Sequence, residues 1–178
     1  MGKLTQGIDI ETLLKAFSRL SNKKFSGKLV VAGWGGVLSG FQKLTEQFNL
    51  TQHAQMIEIK EESLELLNSF DVFILPSYLE EIPFIALKAM ALGKVVIATN
   101  IYYHPEVIKD GLTGFIVPCG FPERIEAALM RLYANPSLRK EIADAAKKAV
   151  EGHFNIEVMA NGYLQLYTKI TNVGLISS

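Results

Sequence analysis

The chain has 178 residues, of which 49% are hydrophobic and 20% are charged. This length favours a single domain, and the composition excludes an intrinsically disordered chain. The 18 basic residues balance the 18 acidic residues, so no basic excess supports binding to nucleic acid, which is a polyanion. We therefore expect one domain over residues 1–178 and no nucleic-acid partner.

The cellular location is predicted from cysteine usage and hydropathy. Cys119 is the only cysteine, which excludes an intramolecular disulfide bond and favours a reducing compartment. The first residues contain no apolar core of a secretion signal. Lys88 and Lys94 interrupt the most hydrophobic stretch, which leaves it too short to cross a membrane. These features predict a cytoplasmic protein without a transmembrane segment.

Alternating helices and strands are predicted over the first two thirds of the chain. Apolar residues recur at steps of three and four over residues 9–20, which predicts a helix. The other predicted helices cover residues 41–48, 61–70 and 84–92, and the predicted strands cover residues 28–32, 55–59, 71–75, 95–99 and 114–117. Because the strands are almost continuously apolar, they are typical of parallel strands buried on both faces. The pattern predicts an α/β fold with a doubly wound, Rossmann-like parallel sheet covered by helices on both faces.

After Pro118 the sequence predicts only helices. They cover residues 123–134, 137–151 and 156–170. The last of them has an apolar stripe formed by Ile156, Met159, Tyr163, Leu166, Tyr167 and Ile170. We expect part of this stripe to promote self-association or binding to another chain.

A glycine-rich turn is predicted after the strand at residues 28–32, at Gly33, Gly35 and Gly36. Glycine lets a chain turn tightly and also lets a ligand approach the backbone. A dinucleotide-binding fingerprint would need a third glycine where the chain has Leu38. A plain turn is therefore favoured over a dinucleotide site.

The junction between the strand at residues 71–75 and the helix at residues 84–92 is the strongest candidate for a binding site. In parallel α/β sheets, ligands bind beyond the carboxyl ends of the strands. The start of the helix offers free backbone N–H groups and a partial positive charge to an anion such as a phosphate. Glu80 and Glu81 precede it, and a carboxylate accepts strong hydrogen bonds from sugar hydroxyl groups. The alternative is that both glutamates only complement the helix dipole on a solvated loop.

A longer pattern surrounds this junction and carries a family resemblance. The residues that match the pattern are Pro76, Ser77, Glu80, Ala89, Met90, Ala91, Gly93, Pro105, Glu106, Val107, Asp110, Gly111, Thr113, Gly114, Val117 and Pro118. In this register the segment resembles the donor-binding segment of the retaining group 1 (family 4) glycosyltransferases, which have the GT-B fold. The resemblance extends, less tightly, over nearly the whole chain.

The resemblance implies a donor-binding, carboxy-terminal domain of a hexosyltransferase of polysaccharide or glycolipid biosynthesis, similar to mannosyltransferases. Glu80 would be the catalytic residue and would hydrogen-bond the transferred sugar. The backbone N–H groups of Phe84 and Ile85 would hold the diphosphate of the donor, and Lys3 would help to neutralise it. The nucleotide-diphospho-sugar is a substrate, and we expect no metal and no other cofactor.

Further residues complete the predicted donor site. The resemblance implies that the loop around Ile59 and Lys60 contacts the nucleotide base. Glu81 and Lys88 flank the start of the helix, and position 88 is where the family has a second glutamate that binds the ribose. His104 lies at another strand-to-helix junction, where it would meet a phosphate or a sugar, or would be a loop histidine without a role.

Two other interpretations remain open. Lys88 replaces the ribose-binding glutamate of the family, and Gln6 replaces a basic residue of the first loop. Tyr102 and Tyr103 stand where the family usually has paired glycines. These departures are compatible with a non-catalytic binding or interaction domain that kept the fold and lost the site. A relative of the sugar-nucleotide epimerases, which share the GT-B fold, is the third interpretation.

The resemblance also implies half of a GT-B architecture. In two-domain relatives an N-terminal domain holds the acceptor site, and the final helix, about residues 155–172 here, crosses back to it. We interpret the chain as an excised carboxy-terminal half, a separate subunit or a degenerate gene product. Catalysis would need an N-terminal acceptor domain or a partner subunit, and any peripheral membrane contact would come through that domain.

Overall fold

The structure is a computed structural model that describes residues 2–3, 7–34, 38–78 and 84–174. Its strands are β1 Gly2–Lys3, β2 Leu29–Trp34, β3 Ala54–Glu58, β4 Val72–Leu75, β5 Val95–Thr99 and β6 Phe115–Val117. Its helices are α1 Ile10–Ser21, α2 Leu38–Gln47, α3 Leu64–Asn68, α4 Phe84–Ala91, α5 His104–Val107, α6 Pro122–Ala134, α7 Pro136–His153 and α8 Ile156–Gly174.

The fold is α/β, with parallel strands and helices on both sides, as the sequence predicts. The described strands form two parallel ladders, in the orders β1-β2-β3 and β4-β5-β6. In the first ladder Leu29 lies opposite Ala54 and Gly33 opposite Glu58. In the second ladder the β5 strand lies between β4 and β6 and pairs with both of them.

Hydrophobic cores cover both faces of the β5 strand. Val95 and Ile97 belong to one cluster with residues of α1 and α6, whereas Val96 and Ala98 belong to a second cluster with α4 and Ile108. Successive side chains of a strand point to opposite faces of the sheet, and all five residues of β5 are buried. Burial on both faces explains why this strand is apolar throughout.

Local capping fixes the first long helix. Asp9 precedes α1, and its Oδ1 accepts a hydrogen bond of 3.0 Å from the Thr12 N–H group, which satisfies one of the free donors of the first turn. The buried residues of α1 recur on one side and include Leu13, Leu14 and Phe17. The helix thereby orders the segment that enters it from the carboxyl edge of the sheet.

Most of the predicted elements are present, two predictions are corrected, and one short helix is added. The helix predicted over residues 61–70 is only α3, because Ser63 caps its start and accepts a hydrogen bond of 3.2 Å from the Leu66 N–H group. The predicted turn at Gly33 is part of β2, because Gly33 pairs with strands on both sides; Gly35 and Gly36 lie outside the described residues. The short helix α5 was not predicted.

The C-terminal helices follow the prediction closely. The predicted ranges 123–134, 137–151 and 156–170 correspond to α6, α7 and α8. Among the described residues, no helix is both long enough and apolar enough to cross a membrane.

Candidate functional site

The candidate site is the carboxyl edge of β4, where the chain approaches α4. Here the segment that precedes α1 pairs with the residues that follow β4. The Asp9 N–H group donates to the Pro76 carbonyl oxygen at 2.7 Å, and the Tyr78 N–H group donates to the Gly7 carbonyl oxygen at 2.7 Å. An antiparallel bridge joins Ile8 to Ser77 between these two bonds. These contacts hold residues 7–9 beside residues 76–78.

A side-chain hydrogen bond strengthens this contact. The Tyr78 hydroxyl group donates to Oδ2 of Asp9, whose other oxygen caps α1. This bond to a carboxylate is the main reason why the pKa of Tyr78 is raised from 10.0 to about 12, since the negative charge of Asp9 also favours the protonated phenol. Asp9 therefore ties three segments together at the edge of the site.

Thr99, the last residue of β5, connects β5 to the chain that leaves β4. Its hydroxyl group lies 2.6 Å from the Ser77 carbonyl oxygen, to which it donates. The same oxygen, Oγ1, accepts a bond of 3.2 Å from the Ser77 N–H group. Both Thr99 and Ser77 are buried, so these bonds satisfy polar groups that would otherwise be costly to bury. The conformation at Ser77 is thus set from the neighbouring strand.

His104 is buried beside Thr99. Only 2% of the residue is exposed, and its Nδ1 lies 2.7 Å from the Thr99 carbonyl oxygen. Because a carbonyl oxygen can only accept, the proton of the ring lies on Nδ1 in this contact. Burial lowers the pKa of His104, against the opposing effect of this hydrogen bond. The ring is therefore neutral at pH 7 and supports the β5 edge; contact of His104 with a ligand stays a prediction.

Along α4, solvent exposure decreases from the first residue into the helix. Phe84 is exposed, Ile85 is half-buried, and Ala86, Ala89 and Met90 are buried. The helix is therefore anchored by these three buried residues, while the side chain of its first residue lies at the surface. Backbone N–H groups of the first turn of a helix have no partner within the helix, and a helix start of this kind can bind an anion.

The side chain of Lys88, on α4, has an acidic partner. Its ammonium group forms an ion pair with the Glu62 carboxylate, which belongs to the loop between β3 and α3. Both side chains are partly exposed. A carboxylate therefore lies near position 88, although the residue at position 88 is a lysine.

The loop after β3 begins at the same edge of the sheet. The Ile59 N–H group donates to the Gly33 carbonyl oxygen at 3.1 Å, which continues the pairing of β2 with β3. Lys60 is exposed, and Ile59 is half-buried. Together with Glu62 and Lys88, these residues connect the loop after β3 with α4.

Tyr102 and Tyr103 lie between β5 and α5. Both side chains are exposed, and Tyr102 has a φ angle of 26°, a left-handed conformation that is uncommon for a residue with a side chain. Glycine adopts such a conformation readily. The backbone at position 102 is therefore one that a glycine would favour, although the chain has a tyrosine there.

Three of the predicted site residues cannot be compared with the structure in full. Glu80 and Glu81 lie outside the described residues. Lys3 belongs to β1, opposite Trp34, but its side chain is outside the described part. The roles of these three residues stay predictions.

Three residues of this edge were not predicted from the sequence. Thr99 ends an apolar strand with a polar side chain, and this break in apolarity is a signal that could have identified it. Asp9 stands at a helix start, where its capping role is readable from the sequence. No local signal identifies Glu62, because its contact with Lys88 spans two elements that are brought together only by the fold.

The described residues contain no group of three or more histidine, cysteine, aspartate or glutamate side chains that could hold a metal ion. The charged groups near α4 include the Lys88–Glu62 ion pair, and Lys60 is exposed on the loop after β3.

Comparison with known proteins identifies the family. A family model described as glycosyl transferases group 1 matches residues 1–149. The capsular polysaccharide biosynthesis glycosyltransferase CapM of Staphylococcus aureus is 28% identical over 161 residues, which are 89% of this chain and 42% of CapM. The chain spans less than half the length of CapM and of two further curated relatives that it matches.

Solved structures share the fold. The C-terminal domain of the group 1 family protein LpcC from Francisella tularensis is 24% identical, with a TM-score of 0.78 over 88% of this chain and 84% of that domain. TarM of S. aureus, solved with fondaparinux, α-GlcNAc-glycerol and UDP, is 20% identical, with a TM-score of 0.85 over 93% of this chain and 34% of TarM. The motif match, the parallel α/β fold and these comparisons together place the chain in the group 1 glycosyltransferase family, as a domain that corresponds to one half of the GT-B fold.

Proposed function

We propose that this domain binds a nucleotide-diphospho-sugar and serves as the donor half of a retaining hexosyltransferase. The observation that carries the proposal is the first turn of α4, which begins at the exposed Phe84 directly after the segment that contains Glu80 and Glu81. Free N–H groups and the helix dipole favour a diphosphate at such a turn. The UDP in the TarM structure supports the same class of ligand.

The predicted roles of the site residues form part of this proposal. Phe84 and Ile85 bind the diphosphate through their backbone N–H groups, with help from the charge of Lys3. Glu80 hydrogen-bonds the sugar that is transferred, beside Glu81. No metal ion is needed in this proposal, because the helix start and the lysine side chain stabilise the phosphate charge.

The nucleoside is proposed to lie toward the loop after β3. Ile59 and Lys60 belong to this loop, and Glu62 brings a carboxylate to the Lys88 side chain. A carboxylate accepts hydrogen bonds from ribose hydroxyl groups, whereas an ammonium group only donates. His104 supports the neighbouring edge from its buried position.

We further propose that transfer requires an N-terminal acceptor domain, in the same chain or in a partner subunit. The chain covers only 42% of CapM, and a group 1 transferase reacts in the cleft between its two halves. The product class is proposed to be a polysaccharide or glycolipid, in line with the biosynthetic role named for CapM.

The proposal is tested by calorimetric titration of the domain with UDP-, GDP- and ADP-sugars. We expect heat of binding and a raised Tm for at least one donor, since a ligand that binds only the folded state stabilises it. Glu80→Gln should weaken binding of the sugar nucleotide and leave binding of the free nucleoside diphosphate unchanged. The matched control is Glu141→Gln, on an exposed position of α7.

The alternative, a domain that binds no donor, is tested by reversing the charge at position 88. Lys88→Glu alone would place a second carboxylate beside Glu62, so the reversal is made together with Glu62→Gln. A lower Kd for the donor in the double variant than in the unaltered chain supports a nucleotide site. Each tenfold decrease in Kd corresponds to about 1.4 kcal/mol of binding free energy. No heat and no change in Tm with any donor, for the chain and for the double variant, would contradict the proposal and favour a non-catalytic domain.

A further inference from the structure

The buried hydroxyl group of Thr99 joins two strands at the carboxyl edge of the sheet. It donates to the Ser77 carbonyl oxygen at 2.6 Å and accepts from the Ser77 N–H group at 3.2 Å. The Leu75 carbonyl oxygen, at the end of β4, lies 3.3 Å from the same hydroxyl oxygen. A single side chain of β5 therefore binds both backbone polar groups of the residue that lies two positions beyond β4.

Thr99 is itself held in place by the sheet. It lies opposite Val117 of β6, and its carbonyl oxygen lies 2.7 Å from Nδ1 of the buried His104. Only 2% of Thr99 is exposed, and a β-branched side chain has little rotamer freedom. The hydroxyl group therefore has a fixed position relative to the chain that leaves β4.

The segment before α1 holds the same chain from its other side. The Asp9 N–H group donates to the Pro76 carbonyl oxygen, and the Tyr78 N–H group donates to the Gly7 carbonyl oxygen, each at 2.7 Å. The Tyr78 hydroxyl group donates to the Asp9 carboxylate. Neighbouring residues of an extended segment direct their peptide groups to opposite sides. Residues 76 and 78 therefore face the segment before α1, whereas residue 77 faces Thr99.

We propose that Thr99 is a positioning residue of the donor site, an inference that rests on the proposed function. Glu80 follows Tyr78 by two residues in the sequence. The Thr99 hydroxyl group, together with the Tyr78–Asp9 hydrogen bond, sets the point from which the chain continues toward Glu80. A misplacement of about 1 Å in a site can cost a factor of about 100 in rate. Loss of this hydroxyl group therefore weakens the contact between Glu80 and the sugar of the donor.

The test compares two variants of Thr99. Thr99→Val keeps the volume of the side chain but lacks the hydroxyl group, whereas Thr99→Ser keeps the hydroxyl group but lacks the methyl group. By calorimetric titration, we expect Thr99→Val to raise the Kd of the sugar nucleotide about tenfold or more and that of the free nucleoside diphosphate less than about threefold. Thr99→Ser should keep the Kd of the sugar nucleotide within about threefold of that of the unaltered chain. A threonine that only stabilises the fold would not produce this difference.

The matched control is Thr45→Val, in α2. Thr45 is also buried, and its hydroxyl group donates to the Gln42 carbonyl oxygen at 2.8 Å. Because α2 follows β2 and leads into β3, the end of α2 that carries Thr45 lies toward the opposite edge of the sheet. Thr45→Val should therefore leave both Kd values unchanged.

A second measurement does not depend on donor binding. The Tyr78 N–H group is bonded to the Gly7 carbonyl oxygen, and its hydrogen exchange should be about tenfold faster or more in Thr99→Val. It should be unchanged in Thr99→Ser and in Thr45→Val. If Thr99→Val does not fold, Tyr78→Phe takes its place, because Tyr78 is 49% exposed and the change removes only the hydroxyl group that binds Asp9. This variant should raise the Kd of the sugar nucleotide by at least about threefold.

Equal Kd values of the sugar nucleotide for the unaltered chain and for Thr99→Val, or for Tyr78→Phe in its place, overturn this inference alone. An unchanged rate of exchange at Tyr78 in Thr99→Val also overturns it. Equal weakening of the nucleoside diphosphate overturns it, because the contact with the sugar would then not be the one affected. Failure of Thr99→Ser to keep donor binding overturns it, because the hydroxyl group would then not be the cause. No binding of any donor by the unaltered chain overturns the proposed function, and this inference with it.

Discussion

Glu126 is a buried carboxylate that joins two helices. It lies on α6, is 5% exposed, and accepts hydrogen bonds from Arg19 in the last turn of α1 and from Lys23 just after this helix. Burial alone would raise its pKa, but the hydrogen bonds and charges of the two cations lower the pKa below its ordinary value. The ion pairs therefore stabilise the packing of α1 against α6 whenever the carboxylate is ionised.

We predict that Glu126→Gln lowers the free energy of unfolding at pH 7 by about 1–3 kcal/mol, as for loss of hydrogen bonds to charged groups. Because the folded pKa is depressed, this stabilisation is present above the unfolded pKa, near 4.5. The stabilisation is lost as the pH falls through the pKa that Glu126 has in the folded state. Urea unfolding measured at several pH values from 7 to about 3 should show that the two proteins, the unaltered chain and Glu126→Gln, become more similar in free energy of unfolding as the pH falls. A difference that is constant with pH would contradict this account.

Tyr78 gives a second prediction, in the alkaline range. Its pKa of about 12 depends first on the hydrogen bond to Asp9. Asp9→Asn should therefore return the pKa of Tyr78 most of the way to 10.0. The pKa of Tyr78 is measured by following tyrosinate absorbance against pH and subtracting the curve of the Tyr78→Phe variant, which contains only the signal of the other tyrosines. Since the folded pKa is raised, the stabilisation from this bond is full below pH 10 and is lost as the pH rises through about 12. A Tyr78 that titrates near 10 in the unaltered chain would contradict the assigned contact.

Sequence reasoning could identify the individual residues of the site only in part. The helix start at Phe84 was readable, because a strand, a proline and an apolar segment that ends at a glycine follow one another there. The burial of His104 and the pairing of Lys88 with Glu62 were not readable. Both depend on which neighbours the fold brings within a few ångströms, and sequence spacing contains no such distance.

The turn between α5 and β6 requires glycine at position 114, because the surrounding atoms leave no room for a side chain there. A Cβ atom at Gly114 would lie 2.6 Å from the Val96 carbonyl oxygen and 2.8 Å from Cγ2 of Ile108. The Gly114 carbonyl oxygen also accepts a bond of 2.8 Å from the Gly111 N–H group. Backbone atoms cannot move aside cheaply, so the close approach of this turn to β5 requires glycine.

We predict that Gly114→Ala lowers the free energy of unfolding by about 1–3 kcal/mol, as overpacking does. The matched control is Gly40→Ala, in α2, where a Cβ atom meets nothing within 4 Å. Because alanine favours helix over glycine by about 1 kcal/mol, the control should be neutral or stabilising. Thermal unfolding measures both. Equal Tm values for the two variants would contradict the packing at Gly114.

The long elements were predictable and the short ones were not. The strand at residues 95–99 was predicted with its observed ends, because both faces are buried and every residue is apolar or small. The five-residue α3 and four-residue α5 have too few turns to produce a hydrophobic period. Their ends depend on caps such as Ser63, and the predicted helix over residues 61–70 was accordingly too long.

The last helix contributes little to the body of the domain. All of the described side chains of α8, from residue 156 to residue 171, are exposed. The apolar stripe predicted from the sequence includes Met159, Tyr163 and Ile170, each more than half exposed. The stripe is therefore available for contact with another surface.

We predict that deleting residues 156–178 changes the Tm of the domain by no more than about 2 °C, since no described side chain of α8 is buried. The same deletion should abolish any self-association of the full chain, as measured by light scattering over a range of concentrations. The control is Glu157→Gln, which keeps the apolar stripe. A large fall in Tm would show that α8 packs on the domain, and a strictly monomeric full chain would contradict the prediction of self-association.

The sequence by itself determined the fold class, the order of most elements and the family. These follow from hydrophobic period, from turn residues and from a motif in fixed register, all of which are local properties of the chain. Only the tertiary structure decided that the described strands form two ladders, and that Glu62 contacts Lys88 and Thr99 contacts Ser77. The physical reason is that such contacts join residues separated by 20 or more positions, and only packing of the elements determines which of them come together.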